Sequence, residues 1–133
     1  MAKVLGLGGL FFKSANADAT REWYGRVLGL EQTEWGGTVF LPQPMADQPG
    51  AATVFNIMAE TSDYIAPSTE RFMFNLVVDD LDAILARAKE HGVEPIKLFP
   101  DEGMGKFAHI LDPEGRKIEL WEPKPMTNSN VAT

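Results

Sequence analysis

The chain has two histidines and no cysteine, so the residues to examine first for chemistry are the imidazoles and the carboxylates near them. Without cysteine there is no thiolate nucleophile, disulfide or sulfur metal site. His91 precedes Gly92 at the end of a helical run, where an imidazolium meets the negative end of the helix dipole. His109 is set differently. Residues 106–111 and 117–121 read as two strands joined by Asp112-Pro113-Glu114-Gly115, a strong turn sequence. If Leu111 pairs with Lys117, His109 falls opposite Glu119 on one face of the sheet, within hydrogen-bonding reach. Such a couple can act as acid and base or as a structural hydrogen bond that satisfies a buried carboxylate. Nothing else in the chain supplies a nucleophile or electrophile, which favours the structural reading.

The elements that must position this pair follow from periodicity. Residues 7–14 read as a strand carrying Phe11 and Phe12. Asn16 or Asp18 can cap a helix over residues 17–28, whose Ala19, Trp23, Val27 and Leu28 share one face. Gly29 sits where a C-terminal helix glycine belongs. Residues 31–35 and 38–41 read as a hairpin about Gly36-Gly37, residues 42–50 as a proline-rich loop, and residues 52–59 as a fourth strand. Residues 61–70 form a polar linker. The order then restarts: a strand at 72–78, Asp79 and Asp80 as cap candidates, and a helix at 81–91 with Leu81, Ile84, Leu85 and Ala88 on one face. Gly92 ends that helix, and residues 93–98 follow as a strand interrupted by Pro95, therefore an edge. The loop 99–105 and the closing hairpin complete the order. Gly92 follows Gly29 by 63 positions, and the two halves share one element order. The reading is a single α+β domain over 1–133: one βαβββ module at about 5–60, a second at about 71–123, and a polar tail at 124–133. Two such modules close their open sheet faces into a cup.

Composition narrows the partners. The net charge is −7, from 12 basic and 19 acidic residues. Phosphate binding needs a basic patch, so nucleic acid is not expected. No run approaches the roughly 20 apolar residues of a membrane span, and residues 1–13 lack the pattern of a signal peptide. With no cysteine, these features lead to the expectation of a cytoplasmic protein with no membrane partner.

Three stretches carry a family resemblance. Trp23-Tyr24-Gly25-Arg26-Val27-Leu28-Gly29-Leu30 resembles the first-helix signature of the vicinal oxygen chelate superfamily, which includes glyoxalases, bleomycin-resistance proteins and extradiol dioxygenases. Val78-Asp79-Asp80-Leu81-Asp82 resembles its second strand-to-helix junction. Residues 107–123, from Phe107-Ala108-His109 through Glu119-Leu120-Trp121-Glu122-Pro123, are very similar to its closing hairpin, the most specific motif of the three. The opening Gly8-Gly9-Leu10-Phe11-Phe12-Lys13 is similar to a bacterial, glyoxalase-like branch. The resemblance spans about residues 5–123.

That resemblance implies a cup, a homodimer and, in metal-dependent members, four ligands to a divalent cation. Carried over one by one, the ligand positions fall at Gly9, Asn56, Met73 and Glu119, and only Glu119 matches. A missing side chain, an amide and a thioether are poor partners for such an ion. No cofactor is therefore expected, and a divalent metal is doubtful. If the first ligand position points inward, strand alternation places Phe11, Lys13, Asn56, Met73, Asn75, Phe107 and Trp121 on the cup wall around His109 and Glu119. An aromatic wall with a few polar groups suits a small organic molecule. The expected function is binding of such a molecule in a metal-free cup. The alternative is an enzyme of the lyase, isomerase or dioxygenase type using Glu119 with His109 or a metal.

Overall fold

The computed structural model describes residues 1–125. In chain order it contains α1 (Ala17–Leu28), α2 (Pro42–Asp47), β1 (Phe74–Val77), α3 (Leu81–Glu90), β2 (Lys97–Leu98), β3 (Gly105–Leu111) and β4 (Lys117–Pro123). The fold is α+β with a mixed sheet in the order β1-β4-β3-β2. β1 runs parallel to β4, and the other pairs are antiparallel. The second half thus follows the expected strand–helix–three-strand order. Of the expected tail at 124–133, residues 126–133 lie outside the described residues.

Both long helices begin and end as their sequences dictate. Asn16 accepts a hydrogen bond from the Ala19 amide at 3.1 Å, and Asp80 accepts one from the Ala83 amide at 3.0 Å. Each side chain thereby satisfies a backbone donor that has no partner within the helix. Gly29 closes α1 in the left-handed conformation at φ 74°, a region costly for residues with a Cβ. Arg87 on α3 donates to the carbonyls of Arg26 and Gly25 at 3.1 and 3.2 Å, tying the end of α1 to its neighbour. Glu122 on β4 accepts from the Leu81 amide at 2.8 Å, which fixes α3 to the sheet.

The core lies between these helices and one face of the sheet. Trp23, Tyr24, Val27 and Leu28 from α1 and Leu81 and Ala88 from α3 pack with Ala108, Ile110, Ile118 and Leu120. Burying one large aliphatic side chain stabilises by roughly 1.5–3 kcal/mol. Alternation along β3 and β4 then turns Phe107, His109, Lys117, Glu119 and Trp121 to the opposite face.

The turn between β3 and β4 sets that register. Asp112 accepts from the amides of Glu114 and Arg116 at 2.9 and 3.0 Å and pairs with the Arg116 guanidinium at 2.9 Å. The Tyr24 hydroxyl donates to the same carboxylate at 2.7 Å. Burial alone would raise the pKa of Asp112, but these donors outweigh it and hold the carboxyl below its ordinary value. Arg116 also donates to the Lys13 carbonyl and lies 4.3 Å over the Phe12 ring. Phe12 in turn stacks on Phe74 of β1 at 5.7 Å.

Three expectations are corrected. Residues 42–50 do not form a loop throughout, because Pro42–Asp47 is helical with proline in its first turn. That is the one part of a helix where a missing N–H costs nothing. Residues 93–98 contribute only Lys97–Leu98 to the sheet, as its edge; proline cannot donate to a ladder. In the first half, residues 7–14, 31–35, 38–41 and 52–59 form no ladder among the described residues. The Gly36-Gly37 turn does form, with the Thr33 amide donating to the Gly37 carbonyl at 2.8 Å. A strand needs a neighbour for its backbone groups, and within one chain these segments meet none. Their apolar side chains stay exposed, Phe11 by 92% and Ile57 by 85%.

Candidate functional site

The closing hairpin places His109 directly opposite Glu119 and Leu111 opposite Lys117, the register inferred from the turn sequence. The His109 Nε2 lies 2.8 Å from Glu119 Oε2. An ionised carboxylate can only accept, so Nε2 carries the proton of this bond. The parallel pairing of β1 with β4 sets Asn75 beside Glu119, and its amide donates to Oε1 at 2.9 Å. A third donor, the Tyr64 hydroxyl, reaches Oε2.

Three donors around one carboxylate decide its protonation. Burial penalises the charged form of Glu119, but hydrogen bonds from His109, Tyr64 and Asn75 prevail and hold its pKa below the usual carboxylate range. Burial, followed by the bond to Glu119, pushes the Tyr64 phenol well above its ordinary value. His109 is fully buried. Its ring is flanked by Tyr64 at 5.2 Å and Phe99 at 4.8 Å, both edge-on, and its Nδ1 has no hydrogen-bond partner. Lys117, 5% exposed, donates to the carbonyls of Tyr64 and Ala66 at 2.6 and 2.9 Å. Burial, then the nearby Lys97, lowers its pKa.

Beside the carboxylate runs an aromatic wall. Phe107 and Trp121 stack face to face at 5.6 Å with 4° between their planes, and Phe99 meets Phe107 edge-on at 6.2 Å. The Trp121 indole N–H donates to the Met104 carbonyl at 2.9 Å, so this ring is fixed as well as buried.

Of the residues expected at the site, Asn75, His109, Glu119, Phe107 and Trp121 share this face. Met73 is half-buried at the rim, and Phe11 and Asn56 border the same open concavity from segments that form no ladder. Lys13 is exposed and takes part through its backbone carbonyl rather than its ammonium group. Tyr64, Phe99 and Lys117 escaped sequence reasoning. Alternation from Glu119 and Trp121 could have found Lys117. The only signal for Tyr64 was that it is the one aromatic residue of the 61–70 linker.

A helix-backed sheet whose other face carries a caged carboxylate and stacked aromatics defines a small α+β protein of the βαβββ-module class. The profile of the Glyoxalase/Bleomycin resistance protein/Dioxygenase superfamily matches residues 12–120, and the chain belongs to that family. Among solved structures, an integron cassette protein from the mobile metagenome of V. cholerae and a protein from the mobile metagenome of V. pseudocholerae share the fold at 16% and 18% identity. Their alignments cover 90% of this chain in each case and 96% and 95% of theirs, with TM-scores of 0.57 and 0.56. A glyoxalase / bleomycin resistance protein from Catenulispora acidiphila is 38% identical over 38% of this chain and 46% of its own, with a TM-score of 0.33. A search of curated proteins gives no match.

The residues present do not fit the divalent cation that some family members carry. Gly9 has no donor, Met73 offers a thioether, and Glu119 is already held by three protein donors. Among the described residues, no group of three or more His, Cys, Asp or Glu side chains could hold a metal ion. No helix there is long and apolar enough to cross a membrane.

A carboxylate with a lowered pKa stabilises the fold above its ordinary pKa, and that contribution is lost as pH falls through the folded value. Glu119→Gln should therefore lose about 1.5–3 kcal/mol at pH 7. It should also flatten the acid limb of a stability–pH profile measured by urea unfolding. An unchanged acid limb would contradict the charge state assigned to Glu119.

Proposed function

We propose that the protein binds a planar aromatic molecule in its cup without a metal and without transforming it. The observation that carries this reading is the Phe99–Phe107–Trp121 wall next to a carboxylate whose donors all come from the protein. Phe99 and Phe107, half-buried and backed by the buried Trp121, present flat apolar area to a flat ligand and favour offset or edge-on contact with it. The neighbouring carboxylate supports binding over chemistry. Acid–base chemistry needs a group within reach of a substrate proton, and His109, the partner Glu119 would need, is fully buried, bonded to Glu119 and flanked by Tyr64 and Phe99.

A thermal-shift screen tests this, since a ligand of the native state raises the melting temperature by mass action. Planar aromatics should raise it and aliphatic molecules of equal size should not. Phe107→Ala should weaken the best aromatic hit by roughly tenfold. No shift with any aromatic at millimolar concentration would defeat the proposal.

We infer in addition that the protein is a cytoplasmic homodimer. Val54, Phe55 and Ile57 are strand-type residues, exposed and without a ladder, and an exposed apolar strand is a template for pairing with another chain. Light scattering at micromolar concentration should give the mass of two chains; a single-chain mass would remove this part.

A further inference from the structure

Tyr64 differs from the other two donors to Glu119 in what holds it. Asn75 and His109 stand on β1 and β3, inside the hydrogen-bonded sheet. Tyr64 stands on residues 60–71, a strap with no helix or strand. Arg71 closes the base of the strap on Glu60 through two bonds of 2.6 and 2.7 Å. Its middle is gripped by Lys117 through the carbonyls of Tyr64 and Ala66. None of these ties uses the Tyr64 hydroxyl, although the Lys117 ammonium group also lies 5.3 Å from the centre of its ring. The strap can therefore stay anchored while its hydroxyl leaves the carboxylate, which makes Tyr64 the exchangeable donor of the three.

The chemistry at that position is specific. Glu119 Oε2 accepts from an aromatic hydroxyl whose ring lies edge-on to His109, on the face that carries the Phe107–Trp121 stack. We propose that Tyr64 is a built-in stand-in for the ligand, holding the place on Glu119 that a hydroxyl-bearing aromatic molecule takes. The cup then selects planar aromatics with a hydroxyl donor over the same rings without one. Rings bearing a carboxylate are disfavoured, since they would bring a second negative charge to Glu119. This inference rests on the binding function proposed above and names the chemical class of its ligand.

Binding of 2-naphthol and of 2-methoxynaphthalene, followed at pH 7 by their fluorescence, tests it. The two share a ring system, and only the naphthol donates a hydrogen bond. The native protein should prefer the naphthol. Tyr64→Phe keeps the ring and removes the competing hydroxyl, so naphthol affinity should rise by roughly tenfold or more, as expected for a hydrogen bond to a charged group. Affinity for the ether, which offers Glu119 no donor, should remain below that for the naphthol. Lys117→Met, which loosens the strap without removing any hydrogen bond of Glu119, should also favour the naphthol over the ether, and it serves if Tyr64→Phe fails to fold. If both rings bind every variant with no preference for the hydroxyl, the stand-in role is overturned and the cup remains a binding site. If neither ring binds any variant, the binding function is overturned with it.

Discussion

The register of the β3–β4 hairpin is the constraint on which the rest of this structure depends. Side chains alternate with a period of two, so a slip of one residue would turn every core side chain outward. In the observed register, Ala108, Ile110, Ile118 and Leu120 meet the helices while Phe107, His109, Glu119 and Trp121 face away. Asp112 secures that register at the turn, where it accepts from two backbone amides, the Arg116 guanidinium and the Tyr24 hydroxyl. Because Tyr24 belongs to α1, the carboxylate that shapes the turn also locks the first helix against the closing hairpin. Arg116 extends the connection to the Phe12 ring and the Lys13 carbonyl. One turn thus orients both the core and the face opposite it.

Glu119 is the dependent feature with the most at stake. Taking a carboxylate out of water is costly unless its oxygens are satisfied, and removing one partner of a buried charged group costs more than a neutral hydrogen bond contributes. Here each oxygen is satisfied, Oε1 by Asn75 and Oε2 by His109 and Tyr64. Those donors come from a parallel neighbour strand, an antiparallel neighbour strand and a strap, so the carboxylate joins three separate stretches of chain. The ammonium group of Lys117 completes the assembly by holding the strap in place through its carbonyls. The imidazole Nδ1 is the one fully buried side-chain polar atom without a hydrogen-bond partner among the described residues.

The parts legible in the sequence were those governed by local rules. Asn16, Gly29 and Asp80 act as helix caps because their chemistry matches those positions, and His109 meets Glu119 because a recognisable turn fixes the distance to it. The short helix at Pro42–Asp47 was hidden by its prolines, which look like loop residues yet are tolerated in a first turn. The strands expected in the first half failed to pair because pairing depends on a neighbour, which a strand's own residues do not specify. Tyr64 was invisible for a similar reason. Its partner lies 55 positions away, and no periodicity relates a strap residue to the sheet it crosses.

Gly9, Asn56 and Met73 are the positions at which this chain departs from the family's metal-ligand pattern, leaving Glu119 alone, so metal binding tests the account most directly. Calorimetric titration of the full chain with nickel, zinc and manganese at pH 7 should show no stoichiometric uptake, since the donors around Glu119 are protein groups and Gly9 and Met73 provide no replacement. One ion bound tightly per chain, and lost in Glu119→Gln, would contradict it.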